Sequence, residues 1–141
     1  MFLLSHEVND RISNRCSTNL ETVKWNGWTI QYLKNPSEEI QLAAVRQNWN
    51  AIRYIENPSE EVQLAAVQQD GFAIQFIKNP SEEVQLEAVL ENGYAIQHII
   101  KKPSLAVQLE AVRQNWHAIY YIKNPSMEVQ LIAALSRDYN D

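Results

Sequence analysis

PSEEIQLAAVRQNWNAIRYIEN, residues 36–57, decides the fold, because the chain writes this unit repeatedly. An Asn/Lys-Pro-Ser start followed by Val/Ile-Gln-Leu recurs five times, with prolines at 36, 58, 80, 103 and 125. The spacings are 22, 22, 23 and 22 residues. A period in this range marks an array in which each unit contacts its neighbours and none can bury its apolar face alone.

Asn35-Pro36-Ser37-Glu38-Glu39 reads as a helix start. Either Asn35 caps with proline at the first helical position, or Ser37 caps with two glutamates in the first turn. Both put acid beside the positive end of the helix dipole. The first helix, A, is expected to run to about Asn48. At about 100° per residue, Ile40, Ala44, Asn48, Gln41, Val45 and Leu42 cover an arc of about 200°, wide enough for neighbours on both sides.

Gln41 sits in the middle of that arc and returns as Gln63, Gln85, Gln108 and Gln130. A buried amide without partners costs about 1–3 kcal/mol, so copies in register imply satisfied hydrogen bonds. They are read as a structural ladder running along the array, from each Gln to a backbone group or a neighbouring Gln. An amide does not titrate, which sets a catalytic role aside.

Helix B is expected over about residues 49–56, with Ala51, Ile52 and Ile55 on one face. The trio returns as Ala73/Ile74/Ile77, Ala95/Ile96/Ile99 and Ala118/Ile119/Ile122. Between A and B stand Asn26, Asn48, Asp70, Asn92 and Asn115. Such short polar side chains either tolerate the left-handed conformation or cap the next helix. The two positions after them trade off: Gly27, Gly71 and Gly93 precede Trp28, Phe72 and Tyr94, whereas Trp49 and Trp116 precede Asn50 and His117. Because Trp replaces Gly, the first position does not demand positive φ. The ring is expected to wedge between repeats, with a ligand-contacting row as the alternative.

The ends depart from the pattern. Residues 1–13 are expected to form an N-terminal cap and 14–35 a degenerate first repeat. Repeats then span 36–57, 58–79, 80–102 and 103–124, and 125–141 holds a truncated last repeat in which helix A covers 125–137. Leu105, Tyr120, Met127, Ile132 and Leu135 stand where earlier repeats carry polar or smaller residues. They are expected to form a homodimer interface through the C-terminal repeats.

The 141 residues are 45% apolar and 21% charged, an ordinary globular balance, and three glycines speak against an all-β fold. The expected class is all-α: a right-handed helical-repeat solenoid (α-α superhelix) of two-helix units. A net charge of −5 disfavours nucleic acid, which needs cations to displace counterions, and is compatible with a basic protein partner. Cys16 is alone, favouring a cytoplasmic setting. Met1-Phe2-Leu3-Leu4 is too short for a signal-peptide core, and nothing approaches the roughly 18 apolar residues of a membrane span.

The repeated Asn-Pro-Ser-Glu-Glu-Val-Gln-Leu-Ala-Ala-Val of residues 57–67 resembles leucine-rich-repeat-variant and HEAT-like units, which share a Pro-x-x-x-Val-x-x-x-Ala core. It is also similar to helical repeats of unassigned function in bacterial and phage proteins. The resemblance covers roughly residues 14–137 and implies two-helix solenoid architecture, with helix B about two turns long. It implies no particular ligand.

Two rows are candidate partner-binding surfaces. One is the acid ridge Glu38, Glu39, Glu60, Glu61, Glu82 and Glu83 at the helix A starts; the other is Tyr32, Arg53, Tyr54, Phe76, His98 and Tyr121 on helix B. The expected function is a non-enzymatic protein–protein interaction scaffold. A phage- or bacteria-encoded inhibitor of a basic, nucleic-acid-handling protein, of the counter-defence type and acting in the host cytoplasm, fits the acid ridge. A single-stranded RNA or DNA reader using the ring–amide row is one alternative, and a purely structural homodimerising module is another. His6, His98 and His117 differ in repeat position and have no partner at nucleophile or metal spacing, so no enzyme, metal or cofactor is expected.

Overall fold

The computed structural model describes residues 19–140. The expected cap, residues 1–13, and the start of the degenerate repeat, residues 14–18, lie outside them. Among the described residues every regular element is helical, and two kinds alternate. The α-helices are α1 (residues 19–25), α2 (Glu38–Gln47), α3 (Glu60–Val67), α4 (Glu82–Glu91), α5 (Leu105–Gln114) and α6 (Met127–Asn140). Between them lie the 3₁₀ helices η1 (Gly27–Tyr32), η2 (Trp49–Tyr54), η3 (Gly71–Phe76), η4 (Gly93–His98) and η5 (Trp116–Tyr121).

Helix B is thus tighter than the expected α-helix and stops two residues sooner, at Tyr54 rather than 56. The Asn/Asp before each η element explains the tightness. Asn48 Oδ1 accepts from Asn50 N at 3.0 Å while its carbonyl accepts from Ala51 N at 2.9 Å. That pair closes a three-residue turn, and the same caps recur at Asn26, Asp70, Asn92 and Asn115. These residues are extended, with φ near −150° in Asn92, so capping the next helix is their role. At three residues per turn, Ile52 and Ile55 eclipse on one side and Ala51 lies a third of a turn away. All three are buried.

The α starts belong to serine. Ser59, Ser81, Ser104 and Ser126 Oγ each accept from the backbone N–H three residues on, at 3.3 Å, whereas Ser37 makes no such bond. The asparagines two places earlier do something else: Asn35, Asn79 and Asn124 have φ of 48°, 52° and 51°, a left-handed turn that short polar residues adopt as single residues.

The glutamines do not link neighbouring repeats. Gln41, Gln63, Gln85, Gln108 and Gln130 Nε2 each donate to the carbonyl of the proline five residues earlier, at 2.9–3.0 Å. The backbone N–H of the same residue bonds the serine carbonyl next to that proline, as in Gln41 N to Ser37 O at 2.9 Å. Each Gln therefore clamps its own linker onto its own helix, a reach too short to leave the repeat. Glutamines six residues further on bond between repeats instead. Gln47 Oε1 accepts from Gly27 N at 2.7 Å, and Gln69 Nε2 donates to Val45 O.

Every α-helix from α2 to α5 packs against the α-helix before or after it and against the η elements of its own and the preceding repeat. From η1 to α6, among the described residues, no contact between elements joins parts more than one repeat apart. The core follows from that arrangement: Val45, Val67, Val89 and Val112 are fully buried, as are Ala44, Ala66, Ala88 and Ala111. No glycine has positive φ. Glycine is needed instead for approach, since a Cβ on Gly27, Gly71 or Gly93 would meet the Ala44, Ala88 or Ala111 carbonyl oxygen at 2.4, 2.3 or 2.6 Å. Where Trp49 stands in that position, the facing helix α3 is the short one, with eight residues against ten in α2.

At the far end α6 runs to Asn140, beyond the expected limit at 137. Arg137 occupies the place of Asn115, so the cap that starts each η element is missing and the α-helix continues.

Candidate interaction surfaces

All six glutamates of the acid ridge are exposed, in the first turns of α2, α3 and α4. Two are engaged with the scaffold. Glu61 lies 4.0 Å from Arg46 of the preceding helix, and Glu60 accepts from the Ser81 hydroxyl of the following linker. Glu38, Glu39, Glu82 and Glu83 form no ion pair among the described residues. The ridge stops at α5, whose first turn holds Leu105 and Ala106.

The helix B row is knit together across repeats. Each ring two places after an Asn/Asp cap meets the last residue of the next η element. Trp28 meets Tyr54 at 5.8 Å, Phe72 meets His98 at 5.5 Å and Tyr94 meets Tyr121 at 6.1 Å, all edge to face. Asn50 has no ring to offer Phe76, and the Arg53 guanidinium lies over Phe76 instead, 5.0 Å from the ring centre. Such contacts contribute about 0.5–1.5 kcal/mol each beyond area burial. The expected wedge between repeats is present as half-buried Trp28, Phe72 and Tyr94. Tyr32, 79% exposed, has no ring contact among the described residues.

At the C-terminal end, Leu105, Tyr120, Met127 and Leu135 are exposed. Ile132 is half-buried and packs against the core. Leu131 and Ala134 are exposed, although their counterparts Leu109 and Val112 in α5 are half-buried and buried. In α5 that side is covered by α6.

Sequence reasoning missed the linker after η4. The single 23-residue spacing pointed to it. Ile100 there is 99% exposed, and cavities of about 540 Å³ and 180 Å³ flank it. No group of three or more His, Cys, Asp or Glu among the described residues is arranged to hold a metal ion, and no helix there is long and apolar enough to cross a membrane. Comparison with protein-family models, with curated proteins and with solved structures found no match.

Proposed function

We propose that the chain is a right-handed helical-repeat solenoid of the leucine-rich-repeat-variant/HEAT-like kind, acting as a non-enzymatic protein–protein interaction scaffold. Its acid ridge is the binding surface, and the partner is a basic, nucleic-acid-handling protein that it inhibits, as a phage- or bacteria-encoded counter-defence protein would. Contacts confined to adjacent repeats support the solenoid. The binding reading rests on one observation: Glu38, Glu39, Glu82 and Glu83 are exposed and form no ion pair among the described residues. Helix starts explain acid at these places, but they do not require two per turn in three successive helices.

The test begins with a partner recovered from host lysate and purified. Changing the six glutamates to Gln is expected to weaken its binding about tenfold or more and to flatten the dependence on salt. Unchanged affinity would sink the acid-ridge mechanism. The ring–amide row fits a nucleic-acid reader less well, because its Tyr54, His98 and Tyr121 are engaged edge to face with Trp28, Phe72 and Tyr94 of the preceding repeat.

A homodimer through the C-terminal repeats is a second proposal, carried by the exposed Met127, Leu131 and Leu135 on one side of α6. Light scattering at micromolar concentration is expected to give twice the chain mass, falling to one chain in Leu131→Glu/Leu135→Glu. A single-chain mass in the unaltered protein would rule the dimer out.

A further inference from the structure

The linker joining η4 to α5 breaks the repeat rule in several ways at once. The other linkers read Leu33-Lys34-Asn35, Ile55-Glu56-Asn57, Ile77-Lys78-Asn79 and Ile122-Lys123-Asn124, each leading into Pro-Ser. This one reads Ile99-Ile100-Lys101-Lys102. It gains a residue, loses the asparagine and enters a helix with no acid in its first turn. The added Ile100 is 99% exposed. None of these changes helps the scaffold: an isoleucine is put into water, and a helix dipole loses its acidic complement. Places where a sequence abandons its own local rules without structural gain are where function is expected.

The linker forms a wall between two cavities. On one side, about 180 Å³ opens between Ile77, Pro80 and His98; on the other, a groove of about 540 Å³ runs toward η5. Ile99, Ile100 and Ile122 give the larger groove aliphatic walls, and Lys101, Lys102 and Lys123 stand around it. All three lysines are exposed and form no ion pair among the described residues. Gln97 and Asn124 add amides that both donate and accept. The volume lies within the range of ligand pockets, about 300–1,000 Å³.

We propose that this groove binds an extended acidic peptide segment carrying an aliphatic side chain. Carboxylates of the segment meet the three lysines, an unpaired positive cluster on a chain of net charge −5. Its apolar side chain packs on Ile99, Ile100 and Ile122. Its backbone bonds Gln97 and Asn124. Aliphatic walls with a single tyrosine, Tyr121, suit a peptide better than a nucleic acid, which gains affinity from stacking on several rings. This site is separate from the acid ridge and opposite to it in charge.

The test titrates the full chain into a short fluorescein-labelled peptide alternating Glu and Leu, followed by anisotropy. A Lys–Leu counterpart and a labelled thymidine oligonucleotide serve as parallel probes. Saturable binding of the acidic peptide alone is expected, weakening as salt rises. Lys101→Glu with Lys102→Glu and Lys123→Glu is expected to weaken it about tenfold or more. Deleting Ile100 together with Lys102→Asn restores the Ile-Lys-Asn-Pro linker of the other repeats; it is expected to abolish binding while the melting temperature holds or rises. Should the lysine-reversed protein lose its helical circular dichroism, Ile100→Ser gives the same reading, since that side chain touches solvent alone. The proposal is overturned by no saturable binding of the acidic peptide, by equal binding of the Lys–Leu peptide, by tighter binding of the oligonucleotide, or by any of these variants binding as well as the unaltered protein.

Discussion

Replacing Gly71 with alanine is expected to destabilise the protein, against the usual effect of this change inside a helix. Alanine normally gains about 0.5–1 kcal/mol over glycine there, because the unfolded chain has less freedom to lose. At Gly71 the added Cβ would stand 2.3 Å from the Ala88 carbonyl oxygen and 3.2 Å from Asn92 Cβ, where ordinary contact is 3.4–4 Å. The obstacle is backbone of α4, so no side chain can swing aside. Relief requires η3 and α4 to part by roughly 1 Å, and a gap of that size forfeits a quarter to a half of each dispersion contact across it. The contacts at stake involve Ala73 and Ile74 on one side and Val84 and Ala88 on the other, all buried. Overpacking of this kind costs about 1–3 kcal/mol, and an immovable backbone obstacle puts the cost at the upper end. Subtracting the propensity gain leaves a net loss of about 2 kcal/mol, or roughly 8 °C in Tm for a chain of this size. Thermal and urea unfolding followed by far-UV circular dichroism read it directly. A Gly71→Ala protein as stable as the parent would refute the close approach and leave turn preference as the only reason for the glycine.

The clamp glutamines should differ with burial. Gln108, 6% exposed, loses about 1–2 kcal/mol in urea unfolding when changed to Leu, because the Pro103 carbonyl loses its partner, whereas the exposed Gln130 changes little. Serine caps divide in the same way: Ser81→Ala costs about 1 kcal/mol, and Ser37→Ala, which removes no capping bond, leaves the unfolding midpoint in place.

The repeating residues were legible because each does the same job in every copy. The period in prolines, the buried Val and Ala positions and the absence of positive-φ glycine all follow from local chemistry repeated in register, whereas the Asn/Asp residues between the helices left a left-handed turn and a cap equally open until the structure showed them capping. What was not legible depends on geometry between copies. Gln41 and Gln47 are both amides on α2, and nothing in their spacing says that the first bonds its own linker while the second reaches Gly27. The 3₁₀ winding of helix B hides for a similar reason. Ile52 and Ile55 share a side at either 3.6 or three residues per turn, so six residues are too few for the period to separate the two. The partial burial of Ile132 was hidden because its repeat equivalents Ala43 and Glu87 are small or polar, while the side chain here packs against the core.

Copies that agree build the scaffold, so the information about partners has to lie where they disagree. Along the edge formed by the linkers and helix starts, that disagreement is mainly in charge. The first turns of α2, α3 and α4 each carry a glutamate pair, α5 carries none, and Lys101, Lys102 and Lys123 gather on either side of α5. Opposite signs on one edge mean that a uniformly charged partner cannot occupy its whole length, since attraction at one end is repulsion at the other. The two binding proposals are therefore separable by competition. A basic partner held by the acid ridge should leave the acidic peptide's affinity for the η4–α5 groove unchanged or improved, and mutual exclusion would mean that the two surfaces had been wrongly divided.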